Sequence, residues 1–386
     1  MTPTEIFNPS HFIPGLATAL ISVLLVITKR WHGHCTCDPT NGIQKFHECH
    51  TPRVGGIAIF CGLSTAWFLS ATTESQPESP LLGNMLIAGI PAFAAGLTED
   101  ITKRVGVRMR LFATIISGAI AIILTGYALN RVDIQGIDTL LTYLPLSIAF
   151  TIFAVAGMAN ATNIIDGFNG LAAGTMIICF TALGFIAWQV GDLQLVHISI
   201  ILALVTAGFI IINFPFGKIF MGDGGAYLLG FMLAWIAVML PMRNPKVSPW
   251  APFLICSYPF IETTYSIIRR YLNKAAASQP DVSHMHSLIK IKLINELLPQ
   301  LPKNLRNSMV SPFCWTYVLI PVTIAVTNYN QTPTLIIAWL GTIAIYAIIY
   351  TTLTNLDKSH AIQQANIPNP NINTHQSPSA PLQANT

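Results

Sequence analysis

Apolar residues come in long unbroken blocks along this chain, at 12–28, 54–71, 81–97, 111–129, 140–158, 171–190, 195–212, 227–240, 250–268, 312–327 and 334–353. Most approach the ~17–25 residues that carry a helix across a bilayer. Blocks of this length without alternation predict helices, and lipid admits only helices or closed barrels because backbone groups find no partners in hydrocarbon. The pattern therefore predicts an all-α, polytopic membrane bundle of about eleven transmembrane helices. Connectors are short except at 29–53 and 269–311, and such long loops in a compact bundle usually carry function. From 357 to 386 the chain turns to Asn, Gln, Pro, Ser and Ala, which cannot bury enough apolar area to offset ordering. The expected organisation is one multi-pass domain over 1–356 and a disordered cytoplasmic tail over 357–386.

Composition agrees with the pattern. The chain is 52% hydrophobic and 9% charged, whereas ordinary soluble domains carry about 25% charged residues. Met1 to Ser10 contains no Lys or Arg, and Lys29 and Arg30 follow the first block, so that block reads as a retained anchor with its N-terminus outside. On this topology all but Arg131, Arg243 and Lys246 of the 20 Lys and Arg fall on the inner side, the C-terminus included. The formal net charge of +4 then reflects orientation and anionic lipid headgroups, and no nucleic-acid partner is expected. Cys61, Cys179, Cys256 and Cys314 lie within or beside spans as small apolar packers, and Cys35, Cys37 and Cys49 fall on the reducing side, where disulfides are not expected.

Polar residues gather in four short clusters at span ends, all on the inner side: Thr98-Glu99-Asp100, the segment from Asn160 to Gly170, the segment from Phe220 to Gly225, and His284-Met285-His286. In the third, Asp223 stands among glycines that let backbone approach a ligand, and a hard cation such as Mg²⁺ takes carboxylate and phosphate oxygens. The same string alone is also a tight turn with an Asp cap. Phe220 beside it offers a ring to stack on a base, and Asn213 a carboxamide at the same membrane boundary. In the second, Asn160, Asn163, Asp166 and Asn169 recur every three positions and share a helical face, a costly stripe near lipid unless it lines a polar cleft. A helix-capping cluster in a solvated loop is the plainer alternative. Glu99 and Asp100 precede Lys103, Arg104, Arg108 and Arg110, which suits carboxylate work beside phosphate-binding arginines or an ordinary basic membrane flank. Paired histidines in a loop are usually solvated, yet His284 and His286 have the chemistry to donate to a diphosphate. His32, His34, Cys35, Cys37, His47, Cys49 and His50 crowd the first loop, but the paired spacing of a zinc finger or ribbon is absent and they read as incidental.

In this order the motifs resemble the polyprenyl-phosphate N-acetylhexosamine-1-phosphate transferase family over nearly all of 38–292. Asp38-Pro39-Thr40-Asn41, His47 and Thr51-Pro52-Arg53-Val54-Gly55-Gly56 are similar to the family's first cytoplasmic loop. Pro259-Phe260-Ile261-Glu262-Thr263, Arg269-Arg270 and Pro280-Asp281 ahead of the histidines look closest to the bacterial enzymes that start O-antigen and other surface polysaccharides. The resemblance implies Asp223 and Asn163 as Mg²⁺ ligands, with Mn²⁺ as an alternative ion, and Asn169 and Phe220 around uracil. It implies Asp166 in the nucleotide cleft, His284 and His286 at the diphosphate, and Arg110 or Arg108 at phosphate oxygens. Arg53 and His47 would serve the phosphates from the first loop. Glu99 and Asp100 stand where the family has an Asp pair, and Ser287 where many relatives have a further His.

The implied reaction moves a sugar 1-phosphate from a UDP-N-acetylhexosamine to undecaprenyl phosphate at the cytoplasmic face of a bacterial inner membrane. The rival class is a transporter or lipid flippase, which would place ionisable residues near the bilayer midplane on symmetry-related broken helices. No matched halves of that kind are visible. A third class, a non-catalytic scaffold, leaves the carboxamide stripe unexplained. The sequence leaves the sugar, the pathway and the oligomeric state open, a homodimer included.

Overall fold

The computed structural model describes residues 9–38, 51–72, 79–274 and 283–365 of the 386-residue chain. After a 3₁₀ turn at Pro9–His11 come α1 (Phe12–Ile27), α2 (Lys29–Thr36) and the two-residue strands β1 (Cys37–Asp38) and β2 (Thr51–Pro52). Then follow α3 (Gly55–Thr72), α4 (Ser79–Thr102), α5 (Val107–Thr125), α6 (Gln135–Leu141), α7 (Leu144–Ile165), α8 (Leu171–Val190), α9 (Leu193–Asn213) and α10 (Gly222–Arg243). The chain closes with α11 (Trp250–Ile255), α12 (Ser257–Leu272), α13 (Met285–Leu288), a π-helical run at Ile289–Ile294, α14 (Asn295–Leu297), α15 (Lys303–Ser308), α16 (Val310–Thr327) and α17 (Thr332–Ala365).

Among the described residues nine helices are long and apolar enough to cross a membrane, and the pair α1–α2, bent by 87°, makes ten. About eleven were expected, and the difference lies at 250–268. That block is divided at Cys256 into α11 and α12, and Glu262, Arg269 and Arg270 make α12 amphipathic rather than apolar throughout. At the other end, α17 continues to Ala365, into the segment expected to be an unstructured tail; Ala361, Gln363, Gln364 and Ala365 are good helix formers. Residues 366–386 lie outside the described residues.

The bundle is built around α10. Its span is 89% buried, against 22% for Thr332–Asn355 at the periphery, and it packs on α3, α4, α7 and α8. Phe231 and Trp235 stack one turn apart on it, and both are fully buried. Where α4 meets the start of α10, close approach is possible only because Gly96 has no side chain: a Cβ there would lie 2.5 Å from the Asp223 carbonyl carbon. With 22 residues, α10 spans about 33 Å at 1.5 Å per residue, so its two ends are separate environments.

The far end is closed by ion pairing. Arg243 grips Asp192 with two bonds, Nε to Oδ2 at 2.7 Å and Nη2 to Oδ1 at 3.0 Å, and Asn244 adds a third at 3.0 Å. Arg131 donates to the carbonyls of Pro241, Pro245 and Val247. Two of the three basic residues that break the charge bias are thus consumed in holding loops together. Substituting Gly96 with Ala should cost about 1–3 kcal/mol by forcing the helices apart, while Ala at Gly157, which has nothing within 4 Å, should be neutral. Thermal unfolding of the two variants in the same detergent checks the contrast.

Candidate active site

Asp100 lies in the last turn of α4 and Asp223 in the first turn of α10, each 1% exposed. The Asp100 oxygens accept the backbone N–H groups of Asp223 and Gly224, both at 2.9 Å. A carboxylate in this position satisfies amides that a helix start leaves orphaned, and it meets the positive end of the helix dipole. Gly222, at φ 75°, makes the entry to α10, and a Cβ on it would lie 2.5 Å from Asp100 Oδ2. Glycine is required here by backbone conformation and by space together.

Two arginines close on Asp223. Arg53 Nη2 donates to Oδ1 and Arg110 Nη1 to Oδ2, and Arg53 Nε lies 3.2 Å from Asp100 Oδ1. Arg53 is delivered by the antiparallel ribbon pairing Cys37 with Pro52 and Asp38 with Thr51. Its own amide bonds to Thr36 O at 2.8 Å, and Pro52 O, Gly55 N and Gly56 N bond to the 220–221 backbone. The first loop is therefore zipped onto the approach to α10. Of the two arginines expected to face phosphate, Arg110 reaches the cluster and Arg108 is exposed. Glu99 is turned aside: its Oε2 accepts the Val105 N–H at 2.7 Å and braces the turn between α4 and α5.

The carboxamide stripe divides by role. Asn160 bridges helices within the bundle, donating to Thr114 Oγ1 at 3.2 Å and Ala156 O at 2.8 Å. Asn163 donates to the Tyr227 hydroxyl at 3.3 Å, one turn beyond Asp223 on α10. Asp166 ends α7 within the field of Arg53, Asp100 and the Gly222 amide. Burial pushes its pKa up to about 7, with Asp100 adding to the rise while Arg53 and the Gly222 amide oppose it. Asn169 instead stitches loops, its Nδ2 reaching Ser308 Oγ at 3.1 Å and Pro215 O at 3.3 Å. Asn213 also serves backbone, accepting from Gly170 N at 2.6 Å and donating to Ile219 O at 2.7 Å. Phe220 is half-buried at the edge of the cluster.

The histidine motif comes to the same end of the bundle. His286 is 2% exposed, packs edge-on against Phe168, and brings Nε2 within 3.3 Å of where a Gly167 Cβ would stand. The motif thus abuts the Asp166–Gly167 turn. His284 is half-buried, and its Nδ1 donates to Glu262 Oε1 at 2.9 Å. His47, Cys49, His50, Pro280 and Asp281 lie outside the described residues. His32, in the first loop, bonds to Thr36 and to Leu25 O.

Sequence reasoning gave no role to Tyr227 or Glu262. Tyr227 had a signal, standing four residues after Asp223 on the same helical face. Glu262 had another, as a lone acid inside an apolar block.

Asp223, Asp166 and Asn163 offer hard oxygen donors suited to Mg²⁺ or Mn²⁺. Among the described residues no three His, Cys, Asp or Glu side chains converge to hold an ion unaided. Mg²⁺ commonly uses one or two carboxylates and takes its other ligands from substrate phosphates and water. Two observations fit an ion that arrives with an anion: burial raises the Asp166 pKa, which a bound cation would bring back down, and the buried Arg110 Nε has no hydrogen-bond partner among the described residues.

A family model described as glycosyl transferase family 4 matches residues 82–241. A probable undecaprenyl-phosphate N-acetylglucosaminyl 1-phosphate transferase of Bacillus subtilis is 30% identical over 277 residues, 71% of this chain and 75% of that protein. A decaprenyl-phosphate N-acetylglucosaminephosphotransferase of Mycobacterium tuberculosis is 31% identical over 270 residues, 63% of this chain and 66% of that one. An undecaprenyl-phosphate alpha-N-acetylglucosaminyl 1-phosphate transferase of Yersinia pestis is 27% identical over 251 residues, 64% and 67% of the two chains.

Asp166 yields a pH signature. Its folded pKa of about 7 lies above the ordinary 3.8, so between these values the folded state binds the proton more tightly and stability falls as pH rises. The metal-free protein should lose thermal stability from pH 5.5 to 7.5 (roughly the upper half of that window), and Asp166→Asn should flatten the slope. Melting temperatures across that range, in chelator, test the assignment.

Proposed function

The chain belongs to glycosyl transferase family 4, and from that premise we propose that it transfers N-acetylglucosamine 1-phosphate from UDP-N-acetylglucosamine to undecaprenyl phosphate, giving the lipid diphosphate sugar and UMP. The observation carrying this reading is the convergence on Asp223 of chain segments far apart in sequence: Arg53, Asp100, Arg110, and the Asn163 to Asp166 turn through Tyr227 and Gly222. They meet at helix ends, where a phosphate carried at headgroup level can reach them.

In the proposed step an oxygen of the lipid phosphate forms a bond to the β-phosphorus of the donor. The bond from that phosphorus to the bridging oxygen breaks, and its electron pair leaves with UMP. A phosphate monoester has its second pKa at about 6, so the nucleophile is largely ionised at neutral pH and no strong base is needed. Catalysis then rests on positioning and on neutralising charge. Arg53 and Arg110 exchange their bonds to Asp223 for phosphate oxygens, for which a planar guanidinium is well shaped. Asp100 keeps the start of α10 in place during that exchange. His284 and His286 meet the diphosphate from the opposite wall, and Phe220 borders the base. Mg²⁺, held by Asp223 with Asp166 and Asn163, would neutralise the diphosphate and the departing UMP.

The charge bias supports a cytoplasmic active site in a bacterial inner membrane, with the N-terminus outside and the C-terminus inside. It fits the first membrane step of lipid-linked surface polysaccharide synthesis. Purified Asp223→Asn, compared with wild type at equal amounts of folded protein, should lose transfer of label from UDP-N-acetylglucosamine to extractable lipid by at least about a hundredfold. Near-normal transfer by that variant would remove Asp223 from the centre of the mechanism.

A further inference from the structure

Glu262 is a fully buried carboxylate on α12, and it sits behind the histidine pair rather than among the phosphate-binding groups. Its Oε1 accepts the His284 Nδ1–H at 2.9 Å and the Met285 backbone N–H at 3.2 Å. Its Oε2 lies 3.9 Å from His286 Nδ1, and the buried Tyr346 hydroxyl is a further polar neighbour of the same carboxylate. The Tyr258 hydroxyl stands 3.4 Å from the same Nδ1, and the two imidazoles stack with centroids 5.2 Å apart and planes 9° from parallel. The acid thus binds the rear nitrogen of His284 directly and reaches that of His286 only by charge, through the ring stacked beside it.

Burying a carboxylate is expensive unless a cation or several donors answer it. If Glu262 only tied α12 to the loop before α13, a neutral glutamine would serve as well at lower cost. An ionised carboxylate can only accept, so it fixes the proton on His284 Nδ1 and turns Nε2 to the opposite edge of the ring. Its charge is balanced when the ring carries a second proton, on Nε2, which is the form that donates to an anion. The His286 Nε2 edge already faces the Asp166–Gly167 turn.

We propose that Glu262 is a positioning residue for the phosphate-transfer step: it holds the histidine pair by its Nδ1 side and presents the Nε2 side to the donor's diphosphate. This rests on the reading of His284 as a diphosphate contact, and the test separates the two. Carboxylates behind metal-ligating histidines change activity about 10–100-fold when removed, and a loss of that order is expected here. Glu262→Gln, of nearly the same shape, should keep the wild-type melting temperature while kcat/KM for UDP-N-acetylglucosamine falls within that range. Glu262→Asp, which keeps the charge, should recover part of the loss. In protein labelled with ¹⁵N-histidine, the Nδ1-protonated signature of His284 should be lost in Glu262→Gln. The double variant with His284→Ala should be no worse than His284→Ala alone, because both changes remove one interaction. If His284→Ala is impaired while Glu262→Gln matches wild type in rate and histidine signature, the role of Glu262 is overturned and the diphosphate reading stands. Wild-type rates in His284→Ala overturn both, and additive losses in the double variant overturn the coupling of Glu262 to His284.

Discussion

The site depends on one contact between helix ends: the Asp100 carboxylate at the close of α4 takes the two N–H groups that open α10. Because α10 is the central helix, this contact fixes where its first turn stands relative to the rest of the bundle, and so where the Asp223 carboxylate points. Arg53 and Arg110 then find Asp223 from two other elements, the first-loop ribbon and α5. The four charged groups sum to zero, which is what permits two carboxylates of 1% exposure to lie side by side. Each carboxylate would be costly alone. Together they make a group whose arginines can change partner, from carboxylate to phosphate, without a large change in local charge.

The two ends of the bundle handle ions differently. At the far end Arg243, Asp192 and Asn244 form a closed set in which both carboxylate oxygens are bonded, and Arg131 is spent on three carbonyls. At the near end Arg110 Nε lacks a hydrogen-bond partner among the described residues, and burial holds Asp166 near pKa 7. Structural ion pairs are normally completed by the fold itself. A guanidinium edge left without a partner beside a buried carboxyl fits the proposed ligand, one that would bring anionic oxygens and a cation together.

How much of this was legible in the sequence follows from what kind of information each residue carries. Membrane character and the helical class were plain in the apolar blocks, since hydropathy depends only on local composition. The chemical clusters were legible because polar residues near lipid are too costly to be casual. What local sequence could not give was direction. Asn169, expected at uracil, and Asn213, expected as a carboxamide for substrate, both give hydrogen bonds to the loops packed on them. Arg108 and Arg110, two apart on one helix, face opposite ways, and which of them turns inward depends on where the helix starts after the turn that Glu99 braces. The amphipathic character of the second half of 250–268 was hidden for a related reason: Glu262 lowers the block's apolarity only slightly on paper, whereas in the fold it binds His284. Long-range partners of this kind, His284 lying 22 residues from its acid, leave no periodic trace.

The placement of the cluster bears on the class of protein as well as on its mechanism. A transporter must present its coupling groups to both sides in turn, which favours charge near mid-membrane and two halves that rock about it. Here Asp100 and Asp223 occupy terminal helical turns, and the helix between the two ends of the molecule is the most buried of all, with glycine contacts that leave little room to slide. A central helix this buried, with the cluster at its first turn, fits the proposed reaction between one water-soluble and one lipid-borne phosphate. Such a reaction asks the protein for little movement and little covalent chemistry. It asks that two polyanions be held in line, and the most economical way to do so is to let substrate oxygens complete an ionic cluster that the fold has left partly unfilled.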